Sequence, residues 1–232
     1  MASSPVQFED IVNNNRVTVN QPKLKVKASN GAERWEDTFY LADKEEPKRN
    51  LNYTLGTEEN PCEIRSVPKP YMETSTTVSG LFSVPENTIE EHRKFVDQVV
   101  QGMSDARIMG DYPHTPEMCR AMLGPLVRES ADYPDRPQGI SVTVPKNVQV
   151  FQLATKDDGS KFLIRLKDPY GFMTSNACKN AKVILSIGHA RCSQVKGKWS
   201  SARYANAIII TKLGTRGPSG PPKVGGVALD VM

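Results

Sequence analysis

No stretch of the 232-residue sequence comes near the roughly 20 consecutive apolar residues that a membrane-spanning helix needs. The opening "MASSPVQFED" has neither the basic nor the apolar region of a secretory leader, so an intracellular protein with no membrane partner is expected. Cysteine is sparse: Cys62, Cys119, Cys178 and Cys192 form no C-x-x-C pair, and only His189 lies near one of them. Free thiols are expected, and no metal site. The three histidines, His92, His114 and His189, stand apart in the sequence. Nucleophile-elbow, zinc-helix, phosphate-loop and dinucleotide fingerprints are all missing, which argues against an enzyme and against a cofactor.

Positive charge is plentiful, and it is unevenly placed. The net charge is only +4, yet residues 146–216 hold thirteen Lys or Arg against three acids, Asp157, Asp158 and Asp168. The rest of the chain is therefore net acidic. A basic half beside an acidic one suits a polyanionic partner on one face.

"RVTVNQPKLKVKAS" sets Val17, Val19, Leu24 and Val26 against polar neighbours, the period of one or two half-buried strands. "PCEIRSVPKPYMETSTTVSGLFSVPEN" is punctuated by proline and reads as extended, irregular chain. The spacing of Ile89, His92, Val96, Val99, Val100 and Met103 predicts a helix over 88–103, with Thr88 as cap and Glu91 completing a capping box. A second helix is expected from Thr115 and Pro116, with Met118, Met122 and Leu123 on its core face and Gly124 and Pro125 ending it. From 140 onward about five strands follow, two of them joined by a hairpin turn at 157–160 around Asp158 and Gly159. Val142, Val144, Val183, Leu185, Ile187 and Ile209 are expected to face the core.

The expected class is mainly β with a helical insert (α+β). One domain should span 1–213, with the insert at about 86–127 and antiparallel barrel or sandwich strands at about 140–213. The Gly/Pro-rich stretch 214–232 reads as a flexible tail.

Recognition of single strands combines cations that track phosphates with rings on which bases stack. The basic half interleaves the two. Trp199 and Tyr204 stand among Lys196, Lys198 and Arg203; Tyr170 and Phe172 follow Lys167; Arg165, Lys182 and Arg191 lie on neighbouring predicted strands. Trp199 in its basic turn and Tyr204 beyond it are the expected stacking platforms, with Tyr170 and Phe172 as further rings. Lys196, Lys198, Arg203, Arg191, Lys182 and Arg165 are the expected phosphate contacts.

The layout of "VTVPKNVQVFQLATKDDGSKFLIRL" followed by "NAKVILSIGHARCSQVKGKWSSARYANAIIIT" resembles the single-stranded DNA-binding proteins of large eukaryotic DNA viruses and short-tailed phages. In that family a strand region and a short helical insert precede an OB-type barrel, whose late strands flank a Trp-containing basic turn. The resemblance implies an OB-like antiparallel barrel and sequence-independent binding of single-stranded DNA in replication or recombination. It also implies no metal or nucleotide cofactor, and partners that include single-stranded nucleic acid, other copies of the chain or replication proteins. In a virus the setting would be host cytoplasm or nucleus. Such proteins often end in an acidic tail, whereas this chain ends "GGVALDVM", with the acidic stretch 33–63 as its one candidate substitute. A capsid or nucleocapsid subunit is the competing class, since a β-rich domain with a basic face also suits packaged genome.

Overall fold

The computed structural model describes residues 6–20, 25–27, 33–35, 38–70, 75–108, 115–127, 139–195 and 198–214, with backbone alone at 25–27, 33–35, 191, 194 and 195. Residues 215–232, expected as a tail, lie outside them. The first part of the chain runs α1 (Phe8–Asn13), β1 (Val17–Asn20), β2 (Lys25–Lys27), β3 (Glu33–Trp35), β4 (Tyr40–Asp43), β5 (Asn52–Leu55), β6 (Cys62–Ile64), β7 (Lys69–Pro70) and β8 (Thr77–Ser83). Two helices follow, α2 (Ile89–Asp105) and α3 (Pro116–Met122). Then come β9 (Gly139–Pro145), β10 (Gln149–Thr155), β11 (Lys161–Arg165), α4 (Pro169–Thr174), β12 (Lys182–Val195) and β13 (Lys198–Lys212).

Nine of these strands share one mixed sheet. Within it β6 pairs with β8, β8 with β9, β9 with β13, β13 with β12, and β12 again with β6, so five strands close a ring. Two expectations are corrected here. The ring is not confined to 140–213, because β6 and β8 come from the proline-punctuated stretch read as irregular. The pairing is not wholly antiparallel, because β13 runs parallel to both β9 and β10. The missed strands have a physical reason. β6 is only three residues long, and the inward set of β8 is Val78, Gly80 and Phe82, in which a glycine interrupts the apolar series. A Cβ at Gly80 would stand 2.8 Å from Pro68 Cγ.

β10 and β11 form the expected hairpin. Lys156 N–H donates to Ser160 O (2.8 Å), Asp158 Oδ1 accepts from Ser160 N–H (2.8 Å), and Gly159 takes the positive φ of 81° that the turn demands. Val142, Val144, Val183, Leu185 and Ile187 are fully buried as expected. Ile209 is not. The β12–β13 register slips between Ser186 and Ile187, so that Ala205 and Ala207 take successive partners and Asn206 bulges between them. The bulge shifts the phase of the strand: Ile208 and Ile210 point inward and Ile209 outward.

α2 packs on α1, β1 and α3. His92, Phe95, Val99, Val100 and Met103 form its buried stripe, with Val96 half-buried beside them. The expected capping box does not form. A 3-10 turn over Glu86–Thr88 precedes the helix, Thr88 Oγ1 donates to Pro85 O (2.8 Å), and Glu91 Oε2 is buried without a partner. α3 begins as read, with Pro116 in its first turn and Thr115 Oγ1 accepting from Met118 N–H (3.3 Å). Arg16 ties β1 to β4 through Asp43; burial acts to raise that carboxyl, but the guanidinium holds it below the usual range.

Candidate nucleic-acid interface

Strand register sets out a row of side chains on the outside of the ring. Lys69 of β7 stands opposite Ser79 of β8, Ser79 opposite Thr143 of β9, Thr143 opposite Tyr204 of β13, Tyr204 opposite Gly188 of β12, and Gly188 opposite Asn52 of β5. Register partners share a face, and every alternate residue on β8 and β9 is buried, so this row points outward. Neighbouring rows add Thr77, Pro145, Leu81 and Ser141. Ser79 and Ser141 hydroxyls meet at 3.2 Å. Among the described residues the result is a floor of mostly small hydroxyl side chains with the Tyr204 ring, 38 % exposed, on it.

Beside that ring Asn206 Nδ2–H donates to Asn52 Oδ1 (3.2 Å), and the amide pair lies across Gly188. A Cβ at Gly188 would stand 2.7 Å from Asn52 Oδ1 and 3.0 Å from Asn206 Nδ2, so the glycine makes room for the bridge. Lys69 and Lys198 are exposed on strands of this face. Lys146, in the turn after β9, donates its backbone N–H to Thr76 O (3.0 Å) and sets its Nζ 5.5 Å from the centre of the Tyr170 ring. Neither Asp nor Glu occurs anywhere in β7, β8, β9 or β13. Acids gather elsewhere, at Asp43 ending β4 with Glu45 and Glu46 after it, and at Glu58, Glu59 and Glu63 around β6.

Of the residues singled out from sequence, Tyr204, Lys198 and half-buried Tyr170 lie on or beside this face. Trp199 does not. It is 4 % exposed, its ring 5.2 Å from that of Phe39, under the segment that follows α3. Leu123 bridges to Trp199, and Gly124 N–H donates to Trp199 O (2.6 Å). A Cβ at Gly124 would stand 3.0 Å from that oxygen, so glycine permits the close approach. Arg203 is also inside, 6 % exposed, with Nη2 donating to Leu126 O and Nε unpartnered. Phe172 is buried in α4, whose start is capped by Asp168 Oδ1 accepting from Gly171 N–H (2.8 Å).

Lys182 is half-exposed on β12 and committed to Glu63, Nζ to Oε2 2.5 Å. Burial acts to raise the Glu63 carboxyl, but Lys182 and Arg65 hold it below the usual range. Arg165 is exposed on β11, away from the row through Tyr204. Lys196 and the Arg191 side chain lie outside the described residues. Sequence reading missed Lys69, Lys146, Ser79, Thr143 and the Asn52–Asn206 bridge. Two of them carried a signal: Lys146, which opens the basic segment 146–216, and Asn206, two residues from Tyr204 near the same strand face.

Among the described residues no three metal-binding side chains converge. His92 and His189 are buried among Phe8, Tyr53 and Phe95. The four cysteines are free and buried, and burial pushes the Cys192 thiol up to about 12 and that of Cys178 to about 11.

No family model matches the chain, and no curated protein does. The chain resembles phage single-stranded DNA-binding proteins. The single-stranded DNA-binding protein of bacteriophage Enc34 superposes with a TM-score of 0.44 at 14 % identity, over 87 % of this chain and 96 % of that one. Its complex with ssDNA gives 0.43 at 15 % identity, over 82 % and 97 %. The protein gp2.5 of bacteriophage T7 gives 0.44 at 12 %, over 77 % and 98 %. All three are phage structures, so the expected likeness to viruses of eukaryotes has no counterpart among them.

Proposed function

We propose that the chain binds single-stranded nucleic acid, DNA in the first place, across the outer face of β7, β8, β9 and β13, without reading its sequence. The ring order β6-β8-β9-β13-β12 corresponds to strands 1-2-3-5-4 of a five-stranded OB-type barrel, in which the face of the second and third strands takes oligonucleotides. The observation that carries the reading is the face itself: acid-free, floored by hydroxyls, holding one exposed ring, with Lys69, Lys146 and Lys198 on and beside it. On these strands a polyanion meets no carboxylate among the described residues, and a base has a platform. Tyr204 stacks, the lysines hold phosphates, and the Asn52–Asn206 amides offer donors and acceptors to whichever base edge passes. Service in replication or recombination follows from protecting exposed strands.

The test is anisotropy titration of a labelled oligothymidylate at several salt concentrations. Log affinity should fall linearly with log salt, by about 0.7 per phosphate contacted. Tyr204→Ala should weaken binding by about 1–3 kcal/mol with an unchanged melting temperature, since the ring is surface-exposed. Lys69→Ala and Lys198→Ala should each flatten the salt slope by somewhat less than one contact. No binding at low salt, or an indifferent Tyr204→Ala, sinks the proposal. Equal affinity for duplex would favour a nucleocapsid role instead.

A further inference from the structure

The β10–β11 hairpin leaves one edge of the large sheet open. β11 pairs with β10 on one side, and among the described residues no strand pairs with it on the other. Lys156 N–H donates to Ser160 O and Leu166 N–H to Val150 O, so these two pairs are hydrogen-bonded ones. In an antiparallel ladder such pairs alternate, which makes Ala154–Phe162 and Gln152–Ile164 hydrogen-bonded as well. The N–H and C=O groups of Lys161, Leu163 and Arg165 therefore point away from β10, along the open edge. The side chains of these three are also the exposed ones of the strand, Leu163 at 48 %.

An unpaired edge is a template for another strand unless proline, a bulge, a cover or charge blunts it. β11 contains no proline, and its register with β10 runs unbroken from Lys161 to Arg165. Charge is what remains, and charge selects the partner. Two copies of β11 paired antiparallel about Leu163 would set Lys161 against Arg165 on both sides of the centre, like against like. An acidic strand meets the same two cations favourably. One end of the edge already holds such a contact: Glu58, from the loop between β5 and β6, sets Oε2 2.7 Å from Lys161 Nζ, with both side chains half-exposed. At the other end Arg165 makes no ion pair among the described residues. Leu163 lies between, with apolar surface whose cover is favourable. The exposed tip acids Asp157 and Asp158 bound the site, since carboxylates carried past Lys161 would meet like charge.

We propose that β11 is a docking edge for an extended acidic segment of another protein, which adds as an antiparallel strand with carboxylates opposite Lys161 and Arg165 and an apolar side chain opposite Leu163. The inference does not depend on nucleic-acid binding. The probe is a labelled synthetic peptide with the core Glu-Thr-Val-Thr-Glu, titrated with the full chain and read by fluorescence anisotropy. It should bind, and more weakly as salt rises. N-methylation of its valine removes the N–H aimed at Leu163 O and should abolish binding, because main-chain hydrogen bonds supply the affinity of an added strand. Arg165→Glu should weaken binding about three- to tenfold with the melting temperature unchanged. An antiparallel strand sets its first core residue opposite Arg165. In that variant Lys-Thr-Val-Thr-Glu should therefore recover the loss, and Glu-Thr-Val-Thr-Lys should not. No binding, binding indifferent to N-methylation, or recovery by the second peptide instead of the first would each overturn the proposal. So would displacement of the peptide by oligothymidylate, which would make the edge a nucleic-acid contact.

Discussion

Replacing Trp199 with alanine is expected to cost about 3–5 kcal/mol of folding stability, the range for truncating a core tryptophan. The indole is 4 % exposed and packs on Phe39 where the chain after α3 crosses β13. Its loss opens a cavity where the segment after α3 meets β13, beside the Gly124 N–H to Trp199 O bond. Urea unfolding measured by circular dichroism reads the effect, and Trp199→Phe should recover much of it by refilling the space. Oligonucleotide affinity, measured where the variant is still folded, should be nearly unchanged. That is the reverse of Tyr204→Ala, which should spare stability and weaken binding. A Trp199→Ala protein that melts normally but binds poorly would mean that the ring reaches the strand after all.

Acid should weaken the fold between pH 6.5 and 4, before the carboxylates contribute. His92 lies in the core against Phe8, its Nδ1–H donating to Thr88 O at 2.7 Å. Burial pushes its pKa down to about 4; Arg203 pushes the same way, while the Thr88 carbonyl and Glu91 oppose them. His189 is held neutral too, well below the ordinary value, by burial and by Arg203, its cross-strand partner. Ser201 Oγ–H donates to Ala190 O (3.3 Å), so its oxygen accepts from His189 Nδ1–H (2.9 Å), and Nε2 accepts from the Tyr53 hydroxyl (3.2 Å).

A cation at His189 would stand beside Arg203 with Tyr53 and Ser201, neither of them a carboxylate, as its hydrogen-bond partners. The unfolded chain takes up these protons from about pH 6.5, and the folded chain does not until about 4. Stability is therefore whole above that window and is lost as pH falls through it, by about 3 kcal/mol for His92 alone. Asp43 and Glu63, whose carboxyls are lowered in the fold, give way at lower pH, below the usual carboxylate range. Denaturant midpoints at pH 7, 5.5 and 4.5 separate the two. Flat stability across that range would show that the histidines are not held neutral, and His92→Leu should remove part of the slope.

The division of labour along β13 shows how much was legible. Trp199 and Tyr204 are five residues apart, and in a strand without a bulge between them an odd spacing puts two side chains on opposite faces. The two could not both be platforms. The same parity sends Arg203 inward beside Trp199 and keeps Lys198 outward with Tyr204. Composition around Trp199 reads as a basic turn, whereas the strand begins at Lys198. Ile209 fails for the complementary reason: parity alone placed it inside, and a one-residue bulge at Asn206, set by how β12 and β13 must curve around the ring, put it outside.

By itself the sequence determined the mainly β class, helices α2 and α3, the hairpin at 157–160, the valine and leucine series that line the inside of the ring, and the uneven charge. All of these follow from local periodicity and turn chemistry, which act over a few residues. Only the tertiary structure decided which strands close the ring, because closure joins Cys62–Ile64 to Lys182 and Val183 across more than a hundred intervening positions. It also decided which basic residues share a surface. Lys182 pairs with Glu63 and Arg203 lies in the core, while Lys69, from a stretch with no periodic signal, stands in the row with Tyr204. A binding face is built from residues that are neighbours across strands, and hydrogen-bonded register, unlike charge or hydropathy, is not written in any one segment.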